Sequence, residues 1–118
     1  MAMLVFYRAM SRTTLSYGAV SILHAVAAGS RFGFDIMAAT GLTSGTVYPT
    51  LDRLEQNGLL TSRWEDEAAA HAEGRPARRY FTLTHKGAAG LKDALARYKT
   101  LRPIRIDPRS LAPEPGPS

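Results

Sequence analysis

The chain lacks cysteine altogether, and it contains no long hydrophobic run. Without cysteine, neither a disulfide framework nor a thiolate metal site can form. No apolar stretch approaches the roughly 20 residues that span a bilayer. The apolar opening, residues 1–10, is short and has no clean signal-peptide cleavage pattern. We therefore expect no membrane partner and a cytoplasmic location.

Chemistry-bearing patterns are scarce as well. The three histidines, His24, His71 and His85, stand far apart without the spacing of metal ligands, so no metal site is expected. The sequence shows no phosphate-cradling glycine loop, no histidine–nucleophile set and no carboxylate pair with an obvious placement. These absences predict a protein that is not an enzyme and that uses no cofactor.

What the chain does have is an excess of positive charge. Its 118 residues are enough for one modest domain, and its formal net charge is +5. A hydrophobic content of 45% with 21% charged residues is typical of an ordinary globular protein. The basic balance favours a polyanionic partner, a phosphate backbone before an anionic membrane.

The most informative stretch runs from Leu42 to Leu60. Val47, Leu51 and Leu54 recur at helical spacing, which predicts an amphipathic helix over residues 43–56 with one apolar stripe. Periodicity alone leaves two interpretations open, an ordinary core helix and a helix that offers its smooth side to a partner. The opposite side carries small and polar residues, namely Gly45, Pro49, Asp52, Arg53 and Gln56.

The ends of this helix carry recognisable signals. Thr43 or Ser44 is expected to cap the first turn, because a hydroxyl there accepts a bond from a free backbone N–H. The remaining N–H groups of that turn form an anion site that suits phosphate. Gly58 is expected to end the helix in the left-handed conformation. Pro49 clashes with the carbonyl four residues back, which predicts a bent or partly 3₁₀ first turn and a regular helix from about Val47.

Two helical patterns precede this helix. Residues 14–28 predict a first helix with a broad apolar face, and Gly29 and Ser30 end it. Residues 32–39 predict a second, shorter helix. A tight link that contains glycine, residues 40–43, joins the second helix to the third. Two helices joined in this way match helix-turn-helix geometry.

After Gly58 the hydrophobic period changes to two. Residues 60–65 and 79–84 alternate and predict two strands, with Phe81 and Leu83 on one face. Together with the long polar loop between them, they form a hairpin, here called the wing. The wing holds four acidic and four basic side chains. A nucleic-acid contact is therefore expected only near the returning strand.

The two ends of the chain differ from the middle. Thr84 is expected to cap a final helix from His85 to about Leu101, whose apolar stripe requires either its own core or a second copy. The apolar arm, residues 1–13, is either covered by a partner subunit or disordered. Residues 102–118 hold five of the seven prolines and are expected to be extended or disordered. The domain between them spans residues 14–101.

This order of elements predicts a mainly α fold with a two-stranded β-wing, a winged helix-turn-helix with a C-terminal dimerisation helix. The run Gly45–Leu60, with its Tyr48–Pro49 pair, and the wing strand 74–84 resemble the PadR family of bacterial transcriptional regulators. The resemblance covers about residues 14–98. It implies a homodimeric, repressor-like regulator that binds a palindromic operator in double-stranded DNA. In some members a small-molecule effector releases the operator.

The chain departs from the family pattern in three ways. Residues 66–74 look like an insertion in the wing. The chain has one C-terminal helix in place of a large dimerisation domain, so it resembles the small subtype. Members with an aromatic drug pocket use a tryptophan on the last helix, whereas here the only tryptophan is Trp64 in the wing. Ligand binding is therefore not carried over.

The hypothesis places the 43–56 helices of two copies in successive major grooves, about 34–36 Å apart. Arg53 is the expected base reader, because a guanidinium binds guanine O6 and N7 with two bonds; alternatively it pairs with Glu55. Tyr48 either meets a phosphate or packs in the core, and Lys86 either reaches a phosphate or is solvated. The wing arginines are expected to clamp the DNA backbone or enter the minor groove. The expected DNA-binding residues are Thr43, Ser44, Gly45, Thr46, Tyr48, Pro49, Arg53, Arg75, Arg78, Arg79 and Lys86, and the expected dimerisation residues are Leu4, Phe6, Leu91, Leu95 and Tyr98.

A second hypothesis belongs to another class. The same fold serves as a module that binds protein rather than DNA, through the apolar last helix. The acidic half of the wing favours this alternative.

Overall fold

The computed structural model of the protein describes residues 15–97 and 106–113. Its helices surround one two-stranded antiparallel sheet, so the predicted winged helix-turn-helix fold is confirmed. Within these ranges no helix has both the length and the apolar content needed to cross a membrane. In chain order the elements are α1 (Tyr17–Ala27), α2 (Gly33–Thr40), α3 (Ser44–Gln56), β1 (Leu60–Trp64), α4 (Glu67–Ala72), β2 (Arg79–Leu83), α5 (His85–Leu95) and a 3₁₀ turn (Pro108–Ser110).

Helix α1 lies at the centre of the fold and packs against α2, α3, α5 and β2. Its first turn is capped by Ser16, whose hydroxyl accepts a hydrogen bond from the amide of Ala19 at 3.1 Å. Val20, Ile22 and Leu23 are fully buried, so α1 is apolar on most of its circumference. A helix of this kind belongs in a core, because leaving its face in water forfeits about 25 cal/mol for each Å².

Helix α3 matches the predicted stripe and differs at its start. Val47, Leu51 and Leu54 are all buried. The helix runs continuously from Ser44 through Pro49, so the regular helix begins earlier than Val47, where it was predicted to start. Pro49 is the sixth residue of the helix, so its ring removes the one bond that an amide there would donate to the carbonyl of Gly45.

The end of α3 is a Schellman motif, as expected from its glycine. Gly58 has a φ of 77°, and its amide donates to the carbonyl of Glu55 at 3.0 Å. The amide of Leu59 donates to the carbonyl of Leu54 at 2.9 Å. These two bonds satisfy carbonyls that the helix would otherwise leave open, and they direct the chain into β1.

The wing has the predicted strands and an unpredicted helix. Leu60 pairs with Leu83 and Trp64 with Arg79 in antiparallel register. The segment expected to be a polar loop instead contains α4, where the Asp66 carboxylate accepts a bond from the amide of Ala68 at 3.0 Å. The run of alanines favours helix once that cap is present.

The last helix is shorter than predicted. It begins after Thr84, whose hydroxyl caps the amide of Gly87 as expected, and it ends at Leu95 rather than near Leu101. Part of the proline-rich tail lies against the domain: the amide of Ala112 donates to the carbonyl of Leu83 at 2.6 Å, which extends the outer edge of β2. The arm, residues 1–13, lies outside the described residues.

A close approach between α5 and the loop before β1 yields a stability prediction. A Cβ added at Gly87 would lie 1.9 Å from the backbone oxygen of Leu59. We expect Gly87→Ala to lower the free energy of unfolding by about 1–3 kcal/mol, because backbone must shift to admit it. Urea denaturation measures this change.

The matched control is Gly90→Ala, one turn further along the same helix. A Cβ there meets only side-chain atoms, Cδ2 of Leu59 at 3.6 Å and Cδ1 of Leu15 at 3.9 Å. This variant is expected to raise the free energy of unfolding by about 0.5–1 kcal/mol, since alanine is the better helix former. Equal effects of the two substitutions would contradict the proposed contact.

Candidate nucleic-acid interface

The first turn of α3 is open to solvent. Thr43 occupies the N-cap position, but its side chain makes no capping hydrogen bond, so the predicted hydroxyl cap is wrong. Its carbonyl accepts bonds from the amides of Thr46 at 3.0 Å and Val47 at 2.9 Å. Ser44, Gly45 and the residues next to them are exposed. A helix start of this kind presents small side chains and the positive end of the helix dipole.

Arg53 lies on the exposed side of α3, about two turns beyond this start. Its Nη2 is 3.5 Å from the hydroxyl of Thr50, a long contact. The alternative pairing with Glu55 does not occur, because that carboxylate binds Ser62 and Arg79. Arg53 forms no ion pair within the described ranges.

Tyr48 lies at the edge of the same face. Its side chain is 48% exposed and lies over Gly33, the first residue of α2. A Cβ at Gly33 would fall 2.4 Å from the Tyr48 hydroxyl oxygen, so only glycine lets the ring lie flat there. Tyr48 is therefore not a core side chain, although one part of its ring packs on Gly33.

Arg79 joins β2 to α3. Its Nε donates to the Ser62 hydroxyl at 3.0 Å, its Nη1 donates to Asp52 at 3.1 Å, and its Nη2 donates to Glu55. The Ser62 hydroxyl in turn donates to the other oxygen of Glu55 at 2.7 Å. All three guanidinium nitrogens are thus engaged within the chain, and Arg79 compensates one of the two negative charges on this side of α3.

Glu65 organises the far end of the wing in the same way. Nη1 and Nη2 of Arg75 donate to its two oxygens at 2.6 and 2.7 Å, a bidentate pair. The Nε of Arg75 also donates to Glu73 at 3.0 Å. The backbone amide of Arg78 and the hydroxyl of Tyr80 complete the contacts of Glu65, at 3.2 and 3.3 Å. Two of the wing's four carboxylates therefore share one guanidinium within the wing.

The hydrogen bonds from Arg75 hold the pKa of Glu65 at about 2, well below its ordinary value of 4.5. Burial opposes this shift, and the Arg78 amide and Tyr80 hydroxyl add to it. The same pairing raises the pKa of Arg75. Hydrogen bonds to the charged form are the dominant cause, so the carboxylate is ionised throughout the neutral range.

The other two predicted cations have different surroundings. The guanidinium of Arg78 lies 4.2 Å from the ring centroid of Phe32, a cation–π contact, and it forms no ion pair with a described carboxylate. Lys86 donates through Nζ to the carbonyl of Asn57 at 2.9 Å. That contact places a cation at the C-terminus of α3, where the helix dipole favours it.

The predicted dimerisation residues are only partly described. Leu4, Phe6 and Tyr98 lie outside the described residues. Leu91 is fully buried in the core of the single chain, so it offers no surface to a second copy. Leu95 is half-buried and packs at the edge of that core. Apolar residues recur at the same helical spacing whether their stripe packs in the core of one chain or between two chains, so this spacing does not distinguish the two cases.

Sequence reasoning missed an aromatic groove beside α3. Phe32, Phe34, Tyr48 and Trp64 line it, and its volume is about 530 Å³. Phe34 and Trp64 are 72% and 67% exposed. The available signal was the spacing of two phenylalanines around Gly33, but only the fold brings them near the wing.

A helix with an exposed, smooth face, preceded by a shorter helix and flanked by a two-stranded hairpin, defines a winged helix-turn-helix protein. A family model described as the PadR-like family of transcriptional regulators matches residues 22–93. The chain therefore belongs to that family, which is one of transcriptional regulators that bind DNA. The resemblance read from Tyr48–Pro49 and the wing is confirmed.

Three solved structures are similar to this chain. A PadR-like transcription factor from Bacteroides fragilis is 26% identical with a TM-score of 0.59, over 70% of this chain and 80% of its own. A PadR family regulator from Clostridium difficile R20291 is 22% identical with a TM-score of 0.61, over 72% and 90% of the two chains. A third, from Eggerthella lenta DSM 2243, is 21% identical with a TM-score of 0.53, over 82% and 88%. The last two establish the fold. None of the curated proteins matches the chain significantly.

The Glu65 contacts yield a prediction about pH. In Arg75→Gln, the pKa of Glu65 should rise from about 2 towards 4.5, because its two strongest donors are lost. Carboxyl carbon NMR measures it directly. Since the pKa is depressed by folding, the stabilisation from Glu65 is present above pH 4.5 and is lost as the pH falls towards 2.

The control is Arg78→Gln, because Arg78 reaches Glu65 through its backbone amide and not through its side chain. In that variant the pKa of Glu65 should stay near 2. A Glu65 pKa that remains low in Arg75→Gln would refute the assignment of the shift to Arg75.

Proposed function

We propose that this protein is a sequence-specific DNA-binding regulator that acts in the cytoplasm as a homodimeric repressor on a palindromic operator. The observation that carries the proposal is the solvent face of α3. On that face Arg79 pairs with the carboxylates of Asp52 and Glu55 and compensates one of their two negative charges, whereas Arg53 remains exposed without an ion pair among the described residues. These four side chains together carry no net charge, and Arg53 offers its guanidinium to a partner.

Arg53 is the proposed base reader. Its guanidinium has donors to spare, since its one recorded contact, with Thr50, is long. A bidentate bond to guanine O6 and N7 in the major groove would use two of them. The open first turn of α3, from Thr43 to Thr46, would meet a phosphate and set the register of the helix in the groove.

The arginines of the wing have two different roles in this proposal, DNA contact and positioning. Arg78 is proposed to contact the DNA backbone, because its guanidinium is held over Phe32 without a carboxylate partner in the described chain. Arg75 and Arg79 are proposed as positioning residues, since their donors are occupied by Glu65, Glu73 and the side chains of α3. Lys86 is proposed to fix the end of α3 through Asn57.

The homodimer is proposed from the family and from the need to place two α3 helices about 34–36 Å apart. Leu95, half-buried at the end of α5, is the described candidate for the interface. Leu4, Phe6 and Tyr98 remain predicted contributors. An isologous contact of this kind would match the twofold symmetry of a palindrome.

The alternative is a module that binds protein through the apolar last helix. The acidic half of the wing supports it less than its charge count indicated, because Glu65 and Glu73 are bound by Arg75 and Asp66 caps α4. DNA remains the partner that the charge pattern favours.

Selection of bound duplexes from a random pool tests the proposal, and an inverted repeat is the expected consensus. Arg53→Ala should weaken binding to that duplex by about 1–3 kcal/mol and relax the preference at one base pair in each half-site. Mobility shifts on matched and mutated duplexes measure both effects.

Lys92→Ala is the matched control, because it removes one exposed positive charge from α5, away from α3. It should weaken binding slightly and equally on all duplexes. Binding that barely weakens as salt rises would point instead to an apolar protein interface. Unchanged sequence preference in Arg53→Ala would refute the base-reading role.

The dimer is tested separately by sedimentation equilibrium. The full chain is expected to have twice the mass of one chain, without DNA. Leu95→Glu should shift this equilibrium towards the monomer, since a charge in an apolar contact is disfavoured. A wild-type protein that stays monomeric at all concentrations would overturn the homodimer.

A further inference from the structure

The aromatic groove beside α3 concentrates the exposed apolar surface of the protein. Among the described residues, the exposed large hydrophobic side chains are Tyr17, Phe34, Tyr48 and Trp64, and the last three line this groove. By contrast, Phe81 at its floor is buried. Exposed rings gathered in one concave site mark a binding surface rather than a random exposure.

The charge of the groove limits what it can hold. Its charged lining residues are Arg75, Arg78 and Arg79, and none of the described acidic side chains lines it. Two of these arginines are neutralised by carboxylates outside the groove. Arg78 is not, and it lies over the ring of Phe32. The groove therefore combines apolar walls with one guanidinium that no carboxylate binds. Such a groove suits a partner that presents both apolar surface and spaced negative charges.

The position of the groove identifies that partner. The groove is lined by Tyr48 of α3, by the start of α2, and by Trp64 and residues 75–79 of the wing, so it lies where α3 and the wing come together. In a duplex, a sugar-phosphate strand always separates the major groove from the minor groove. A helix in the major groove and a wing at the neighbouring minor groove must therefore have that strand running between them.

We propose that the aromatic groove seats this sugar-phosphate strand of the operator, with Phe34 and Trp64 packed against deoxyribose and Arg78 on a phosphate. The inference rests on the proposed function and goes beyond it, because it adds two aromatic contacts that carry no charge. Deoxyribose presents C–H surface to the rings, and the indole N–H of Trp64 donates a hydrogen bond to a phosphate oxygen.

Trp64 makes the inference directly testable, because it is the only tryptophan in the chain. The full-length protein is titrated with a fluorescein-labelled 30-base-pair duplex of mixed sequence at low ionic strength. Anisotropy of the label reports binding, and acrylamide quenching of Trp64 reports access to the groove. The quenching constant is expected to fall at least about twofold in step with the anisotropy, as a packed ring is shielded from solvent.

The two readouts separate the two claims. A rise in anisotropy with an unchanged quenching constant would overturn the groove assignment and leave the proposed function standing. No change in anisotropy would overturn the proposed function, and the groove assignment with it. A fall in quenching caused by an apolar peptide but not by the duplex would assign the groove to protein instead.

Substitutions distinguish the apolar from the ionic contact. Phe34→Ala should weaken duplex binding about five- to tenfold with the same salt slope, because an apolar contact releases no counterion. Arg78→Gln should weaken binding and lower the slope by about one. Arg109→Gln, an exposed arginine away from the groove, is the matched control and should change neither. Far-ultraviolet circular dichroism of each variant verifies folding, and Phe34→Ala with unchanged affinity would refute the role of Phe34.

Discussion

The contacts of Arg79 with Asp52, Glu55 and Ser62 are the constraint on which the rest of the interface depends. A two-stranded hairpin is marginally stable by itself, so its position relative to α3 must be held by side chains. One guanidinium with three engaged nitrogens does this, and it also offsets one of the two negative charges of Asp52 and Glu55, which would repel DNA. The ion pairs are partly exposed, so their main value is geometric rather than a large contribution to stability.

The wing follows the same logic at its other end. Glu65 gathers Arg75, the amide of Arg78 and Tyr80, and so keeps the strand ends together where α4 interrupts the hairpin. Most charged side chains of the wing therefore bond to other groups of the chain and hold the wing in its shape. Arg53 on α3 and the half-buried Arg78 beside the groove have no carboxylate partner among the described residues, and these two flank the path proposed for a DNA strand.

The sequence predicted much of the fold, because the signals involved are local. The stripe Val47, Leu51 and Leu54 and the terminator Gly58 indicated α3, and alternation around Phe81 indicated β2. The helix α4 was missed because its stabilising cap, Asp66, was read as one more loop charge. The contacts of Arg79 with α3 were not predicted, since a count of charges does not tell which of them pair across an interval of 24 or 27 residues.

By itself, the sequence determined the order of elements, the winged helix-turn-helix class and the family, because hydrophobic period, caps and a specific motif are properties of short segments. Only the tertiary structure decided which arginines are bound to carboxylates of the same chain. It also decided that Leu91 lies in the core of the chain and that Phe34 and Trp64 line one groove. Those facts arise from contacts between segments far apart in the chain. These distances and this burial exist only in the folded protein, where the other elements pack against α1.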